Sequence, residues 1–220
     1  MKTASIFLLL LITCFNSYTQ NNITSGDTIT YISNNKYYST EINYNIFFRS
    51  DDSIQLLNDS INSFIDKQKL VIQNDVEDIK AEMDSGFITG KYIQIINTNY
   101  HILKNGLISC FFEVYYYTLG AHGNTSYFSI HYNTNTDKFV EFYEIAKING
   151  QDDLDNFNLL LKQYFKNSDS CYSSKPELIT ENYNAFFVDD DFITLVFPAY
   201  ELGSYACGAA FVKIPIKELD

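Results

Sequence analysis

The run from Leu107 to Thr118 constrains this chain more than any other stretch, because both of its faces are apolar or aromatic. Side chains of a strand alternate between faces, and here Leu107, Phe111 and Tyr115 alternate with Ile108, Cys110, Phe112 and Val114. A strand with no polar face belongs in the middle of a sheet, covered on two sides. One cover is visible upstream. Ile54, Leu57, Ile61, Phe64, Ile65, Ile72, Val76, Ile79 and Met83 recur at helical spacing and predict a long amphipathic helix, with Ser50, Asp51 or Asp52 placed to cap it.

The rest of the pattern fits around that pair. Residues 20–27 are polar and read as a flexible segment, followed by strands at Thr28–Ile32 and Ile42–Phe48. Tyr92–Leu103 and Leu107–Thr118 flank Asn105-Gly106, a strong hairpin signal. Tyr127–Tyr132 and Phe139–Glu144 continue the meander. A second helix is expected from Asp153 to Phe165, capped by Asp152 or Asp153. A hairpin of Tyr183–Val188 and Phe192–Phe197 and a last strand over Ala206–Ile214 close the chain. The expected class is α+β: an antiparallel meander sheet covered by a long helix, with a second helix and a C-terminal three-stranded antiparallel part. The domain spans 28–220, with halves at about 28–135 and 136–220.

The first residues read as a signal peptide over 1–19. Lys2 precedes Ile6–Ile12, an apolar core too short to span a bilayer. Cleavage near Ser17–Thr19 would release a secreted or periplasmic protein starting at about Gln20. In the alternative route, Leu11-Ile-Thr-Cys14 serves as a lipobox and Cys14 anchors a lipoprotein. No other stretch is long and apolar enough for a transmembrane segment. Removing Lys2 from the 15 basic residues leaves 14 against 27 acids, a net of −13. Such acidity argues against nucleic acid and anionic membranes as partners and admits basic ones. Nine of the acids lie between Asp51 and Asp84, against Lys67, Lys69 and Lys80. Solvation of a helix face accounts for them, and so does an acidic docking surface.

Of the cysteines left after export, Cys110 sits in the apolar strand and reads as a buried thiol. Cys171 and Cys207 lie in turn-like segments, and a bridge between them is expected. The 18 Tyr and 18 Phe, with no Trp, suit strand packing, and exposed rings would also suit a sugar-binding face.

Residue types offer little chemistry. The histidines are His101, His122 and His131, and none stands in a zinc-binding spacing. No nucleophile elbow, phosphate-binding loop or dinucleotide fingerprint occurs, and the acid clusters lack the alternation of a calcium loop. No cofactor, no metal and no catalytic activity are expected. His122 differs from the other two, being flanked by glycines in Gly120-Ala-His-Gly-Asn124. There it either braces a turn or touches a ligand.

The Gly120–Asn124 loop, Phe139-Val-Glu-Phe-Tyr-Glu-Ile145, Phe197-Pro-Ala-Tyr-Glu-Leu-Gly-Ser-Tyr-Ala-Cys-Gly208 and Ile214-Pro-Ile-Lys-Glu-Leu219 occur in this order. The arrangement resembles a domain of unknown function shared by RsiV-type anti-sigma receptors and PdaC-type deacetylases, loosely from residue 28 and more specifically after 120. The resemblance implies an extracytoplasmic domain that is not itself catalytic: it accompanies a separate catalytic domain in the deacetylases and binds lysozyme, a basic protein, in the receptors. Asp137 departs from the glycine usual in the family's turn before Lys138. The reading is a stand-alone exported binding domain of the cell envelope, with a basic, lysozyme-like protein as partner. The competing class is a glycan or peptidoglycan-binding module using exposed tyrosines, and an envelope hydrolase trails both. Gly120, His122, Gly123, Asn124, Tyr200 and Tyr205 are the candidate ligand-binding residues.

Overall fold

The computed structural model describes residues 23–50, 52–167 and 170–219; the expected signal peptide over 1–19 and Cys14 lie outside them. Its main body is a six-stranded sheet in the order β2 (Ile29–Asn34), β3 (Tyr38–Tyr44), β6 (Tyr92–Ile102), β7 (Leu107–Tyr117), β8 (Asn124–Asn133) and β9 (Lys138–Phe139). All neighbours are antiparallel except β3 and β6, which run parallel. Strands β1 (Ile23–Ser25), β4 (Phe47–Arg49) and β5 (Asp52–Ser53) make a small separate sheet. Thus part of the segment expected to be flexible is a strand, with Thr24 in register with Phe48. The third sheet, β10 (Phe186–Val188), β11 (Phe192–Phe197) and β12 (Ala210–Pro215), is the expected C-terminal antiparallel part.

The long helix is α1, Gln55–Asp84. Its Leu57, Ile61 and Ile65 are buried with Ile42, Ile96, Ile108 and Phe112 of the sheet, and its later Ile72 and Val76 pack with Tyr92. The helix start differs from expectation. Ile54 occupies the cap position without a side-chain bond, while Asp52 belongs to β5 and Ser50 is left-handed at φ 49; Asp51 lies outside the described residues. The polar anchor comes from inside the helix, where buried Asn58 accepts from the Phe47 N–H and donates to the Phe47 carbonyl, both at 2.9 Å. This pins β4 across the first turn.

Strand β7 is central and covered on both faces, as its composition demands. α1 covers one face. On the other, the Ser109 hydroxyl accepts from the Val188 N–H at 3.0 Å and the Phe111 and Phe187 rings meet at 5.1 Å. Gly106 takes φ +82 in the hairpin before β7, and a Cβ there would sit 2.7 Å from Asn135.

Three local readings change. Residues 139–144 do not continue as a strand: α2 (Phe142–Ala146) begins there, its start set by a capping box between Glu141 and Glu144. α3 runs Gln151–Tyr164 behind Gly150, with Asp152 and Asp153 inside its first turn and no side-chain cap. The last strand begins at Ala210, because Tyr205–Cys207 form a 3-10 turn. Asp137 adopts the left-handed φ of 53, and Arg49 and the Tyr132 hydroxyl hold its carboxylate at 2.5 and 3.3 Å. The second core joins α2, α3 and the third sheet through Phe142, Phe157, Leu161, Phe186, Leu195 and Val212.

Candidate functional site

Two of the sequence-derived segments meet. His122, in the loop before β8, touches the loop after β11 through one ring edge and its face, and its other ring edge contacts its own loop. A carbonyl only accepts, so the 3.0 Å contact to Gly123 O places the proton on Nδ1. Nε2 is then the acceptor for the Tyr200 hydroxyl, also at 3.0 Å. The Tyr205 ring stacks on the imidazole at 3.7 Å between centroids and 16° between planes. Tyr200 holds a left-handed φ of 75, a conformation that costs a non-glycine residue energy and persists only where its surroundings impose it.

The surroundings are rigid. Cys171 and Cys207 are joined by a disulfide, and the Tyr172 hydroxyl lies 3.1 and 3.0 Å from the Cys207 and Ala209 carbonyls. Cys110 is a free, buried thiol, and burial pushes its pKa up. Gly123 is required because the Tyr115 ring lies where its Cβ would be, at 2.3 Å. Gly120 and Asn124 are exposed and shape the loop without joining the ring cluster. His101 stacks on Phe187 at 6.1 Å, and His131 is buried against Phe186 at 4.1 Å.

A larger feature adjoins on the outer face of the six-stranded sheet. A cleft of about 540 Å³ is lined by Thr98, Asn99, His101, Phe111, Glu113, Tyr127, Phe187 and Phe211, among others. Its rings form an unbroken series: His101 to Phe187, Phe187 to Phe111, Phe111 to Tyr127 at 5.7 Å and Tyr127 to Phe211 at 6.0 Å. A polar row crosses the sheet beside them. Thr30, Asn43, Asn97, Glu113 and Tyr127 lie in register on successive strands. The Thr30 hydroxyl donates to Asn43 at 2.8 Å, and the Asn43 amide donates to Asn97 at 3.1 Å. Glu113 is the cleft's carboxylate. Tyr115, the next outward residue of β7, lies over Gly123 and connects the cleft to the His122 cluster.

Sequence reasoning did not single out Asn97, Asn99, Phe111, Tyr127, Phe187 or Phe211. Asn97 and Asn99 alternating with Ile96 and Thr98 carry a weak signal of a polar outer face. Phe211 carries a stronger one, as an aromatic alternating with Ala210 and Val212 on an edge strand.

The acidic side of α1 is partly neutralised. Lys69 pairs with Asp66 at 3.1 Å and Lys80 with Glu77 at 3.0 Å, Lys36 pairs with Asp84, and the Tyr116 hydroxyl donates to Asp75 at 2.7 Å. Among the described residues no group of three or more His, Cys, Asp or Glu could hold a metal ion, and no helix is long and apolar enough to cross a membrane.

Residues 32–125 match the family model described as Deacetylase PdaC, and residues 144–217 match that of a protein family of unknown function, DUF3298. The pairing is the one the sequence resemblance led to expect. His122 falls in the first match and Tyr200 and Tyr205 in the second, so the cluster bridges the two. A DUF3298 family member from Bacteroides fragilis has a similar fold, with a TM-score of 0.63 at 16% identity over 91% of this chain and 93% of its own. A DUF3298 family protein from Pseudomonas aeruginosa gives 0.54 at 14% identity, over 91% and 94%. No curated protein matches the chain in sequence.

Proposed function

We propose that this chain, a PdaC-like half followed by a DUF3298-like half, is an exported, non-catalytic binding domain of the cell envelope that holds a glycan along its aromatic cleft. The observation that carries the reading is the ring series Phe187–Phe111–Tyr127–Phe211 beside the row Asn97–Glu113. Aromatic faces take up the C–H faces of sugar rings, and carboxamide and carboxylate groups satisfy hydroxyls and acetamido N–H groups. The cleft volume suits a small oligomer. The disulfide supports export, since such bridges persist in oxidising compartments.

The test is calorimetry with N-acetylglucosamine oligomers. Phe211 is 52% exposed, so Phe211→Ala should leave the melting temperature within a few degrees while weakening binding at least tenfold. Unchanged affinity would remove the cleft from the reading. The isolated protein is expected to give only background rates on peptidoglycan, N-acetylated glycans and generic esters. A rate abolished by His122→Ala would make the His122–Tyr200 pair an active site.

The acidic face of α1 favours a second reading, a basic, lysozyme-like protein partner. Its lysine pairs reduce the free charge. Binding by that route would fall steeply as salt rises, whereas binding in the cleft would change little.

A further inference from the structure

Strand β6 is paired on both sides only as far as Asn97. The register with β3 ends at Asn43 opposite Asn97, whereas that with β7 continues to Ile102 opposite Ile108. The stretch Thr98–Ile102 is therefore flanked by a strand on one side only. Two bonds fix which main-chain groups face the open side. The Tyr92 N–H donates to the Tyr37 carbonyl on the β3 side at 3.0 Å, and the Leu103 N–H donates to the Leu107 carbonyl on the β7 side at 2.8 Å. Successive residues of a strand direct N–H and C=O to opposite sides, so even-numbered residues turn toward β3 and odd-numbered ones toward β7. The Asn43–Asn97 pairing uses the Thr98 N–H, which donates to the Asn43 carbonyl, so the Thr98 carbonyl and the main-chain groups of Tyr100 and Ile102 are the ones directed into the lane that β3 leaves at Tyr44. Among the described residues no main-chain hydrogen bond fills that lane beyond the Asn43–Asn97 pairing.

This open edge lies in the cleft, since Thr98, Asn99, Tyr100 and His101 all line it, with Thr28 and Asn45 among the other lining residues. Main-chain groups held away from bulk water are costly unless something bonds them. Alternating donors and acceptors at strand spacing match one ligand chemistry above others, an extended peptide added as a strand. The aromatic floor starts one strand away, with Phe111 in register with Asn99, about 5 Å across the sheet.

We infer that the cleft receives a glycan bearing a short peptide branch, the peptide extending along Thr98–Ile102 while the sugar rings lie over Phe111, Tyr127 and Phe211. The inference rests on the glycan reading of the cleft and adds the peptide edge to it. Two weak contacts made by one covalent ligand reinforce each other, because the second is made at high effective concentration.

The experiment uses the unmodified protein and three probes: a disaccharide–tetrapeptide from cell-wall peptidoglycan, the same disaccharide alone, and the free tetrapeptide. Affinities come from calorimetry, and NMR-detected hydrogen exchange reports on the β6 amides. In the free protein the Tyr100 and Ile102 amides should exchange fast, while those of Asn99 and His101 are protected by β7 and that of Thr98 by β3. The disaccharide–tetrapeptide should bind at least tenfold more tightly than either part and slow exchange at Tyr100 and Ile102 at least tenfold. Disaccharide binding as tight as that of the whole fragment, with Tyr100 and Ile102 unprotected, would overturn the peptide edge and leave the glycan reading standing. Free peptide binding as tight as the fragment would overturn both and indicate a protein segment as the occupant. No binding by any probe would also overturn both.

Discussion

Taken from pH 7 to pH 4, the protein is expected to lose roughly 3 kcal/mol of folding stability through one residue, His131. Its imidazole is 4% exposed, is packed on the Phe186 ring, and has no hydrogen-bond partner at either nitrogen. Burial away from water lowers its pKa from 6.5 to about 3. The unfolded chain therefore takes up a proton below pH 6.5 that the folded chain refuses. The stability from this site is complete above pH 6.5 and falls by about 1.4 kcal/mol for each pH unit below it, down to about pH 3. Asp84 and Asp137, whose pKa values are lowered by Lys36 and Arg49, add their loss only below the ordinary carboxylate value of 3.8. Between pH 6.5 and 4 the histidine is thus the destabilising group, while Glu201, whose carboxyl pKa burial raises, takes up its proton more readily in the folded chain and offsets part of the loss. Urea unfolding at pH 7, 5 and 4 is the check. His131→Phe should flatten the profile across that window and raise stability at pH 7, because two unpartnered nitrogens leave the seam. A variant profile as steep as the wild type would place the acid sensitivity elsewhere.

Replacing both Cys171 and Cys207 by serine is expected to cost about 2–4 kcal/mol. The bridge closes a loop of 36 residues' separation, for which the chain-entropy argument gives about 4 kcal/mol; the large core keeps the remainder of the fold in place. The loss should show as a lowered urea midpoint with an unchanged far-ultraviolet spectrum. The loop carrying Tyr200 and Tyr205 is held by the bridge and by Tyr172, so the variant should also release the stacked His122 ring, visible as a change in its imidazole NMR shifts. A double variant as stable as the wild type, with those shifts unmoved, would show that Tyr172 and the Gly203 bridge to it suffice.

The elements most legible in the sequence are those whose periodicity spans many residues. The stripe from Ile54 to Met83 announced α1, and the two-faced apolar run announced β7, because the side-chain period is written directly into the residues. Pairing direction carries no such mark, so the parallel registry of β3 on β6 was invisible. The short α2 was taken for a strand because Phe142 and Tyr143 favour strands, although Glu141 and Glu144 at capping-box spacing were there to be read. The α1 start escaped for a different reason. Its polar anchor is Asn58, inside the helix and bonded to another strand, where upstream acids were expected to serve. In the site, His122, Tyr200 and Tyr205 were each identifiable from their own segments, but a contact across 78 residues was not. The cleft was harder still, since each of its strands contributes one or two residues that read locally as ordinary alternation.

The parallel pairing of β3 with β6 has a consequence for how the chain reaches its fold. The Asn43–Asn97 bond closes across 54 residues, with the whole of α1 between its ends. The hairpins β6–β7 and β10–β11 close over only a few residues and assemble fast, whereas the β2–β3 ribbon must wait for α1 and carries the loop-closure entropy of that helix. Loop closure thus predicts docking against the order of the sequence: the β2–β3 ribbon, first of the large sheet's strands in the chain, is expected to dock last. The open edge at Thr98–Ile102 is where that late strand stops short.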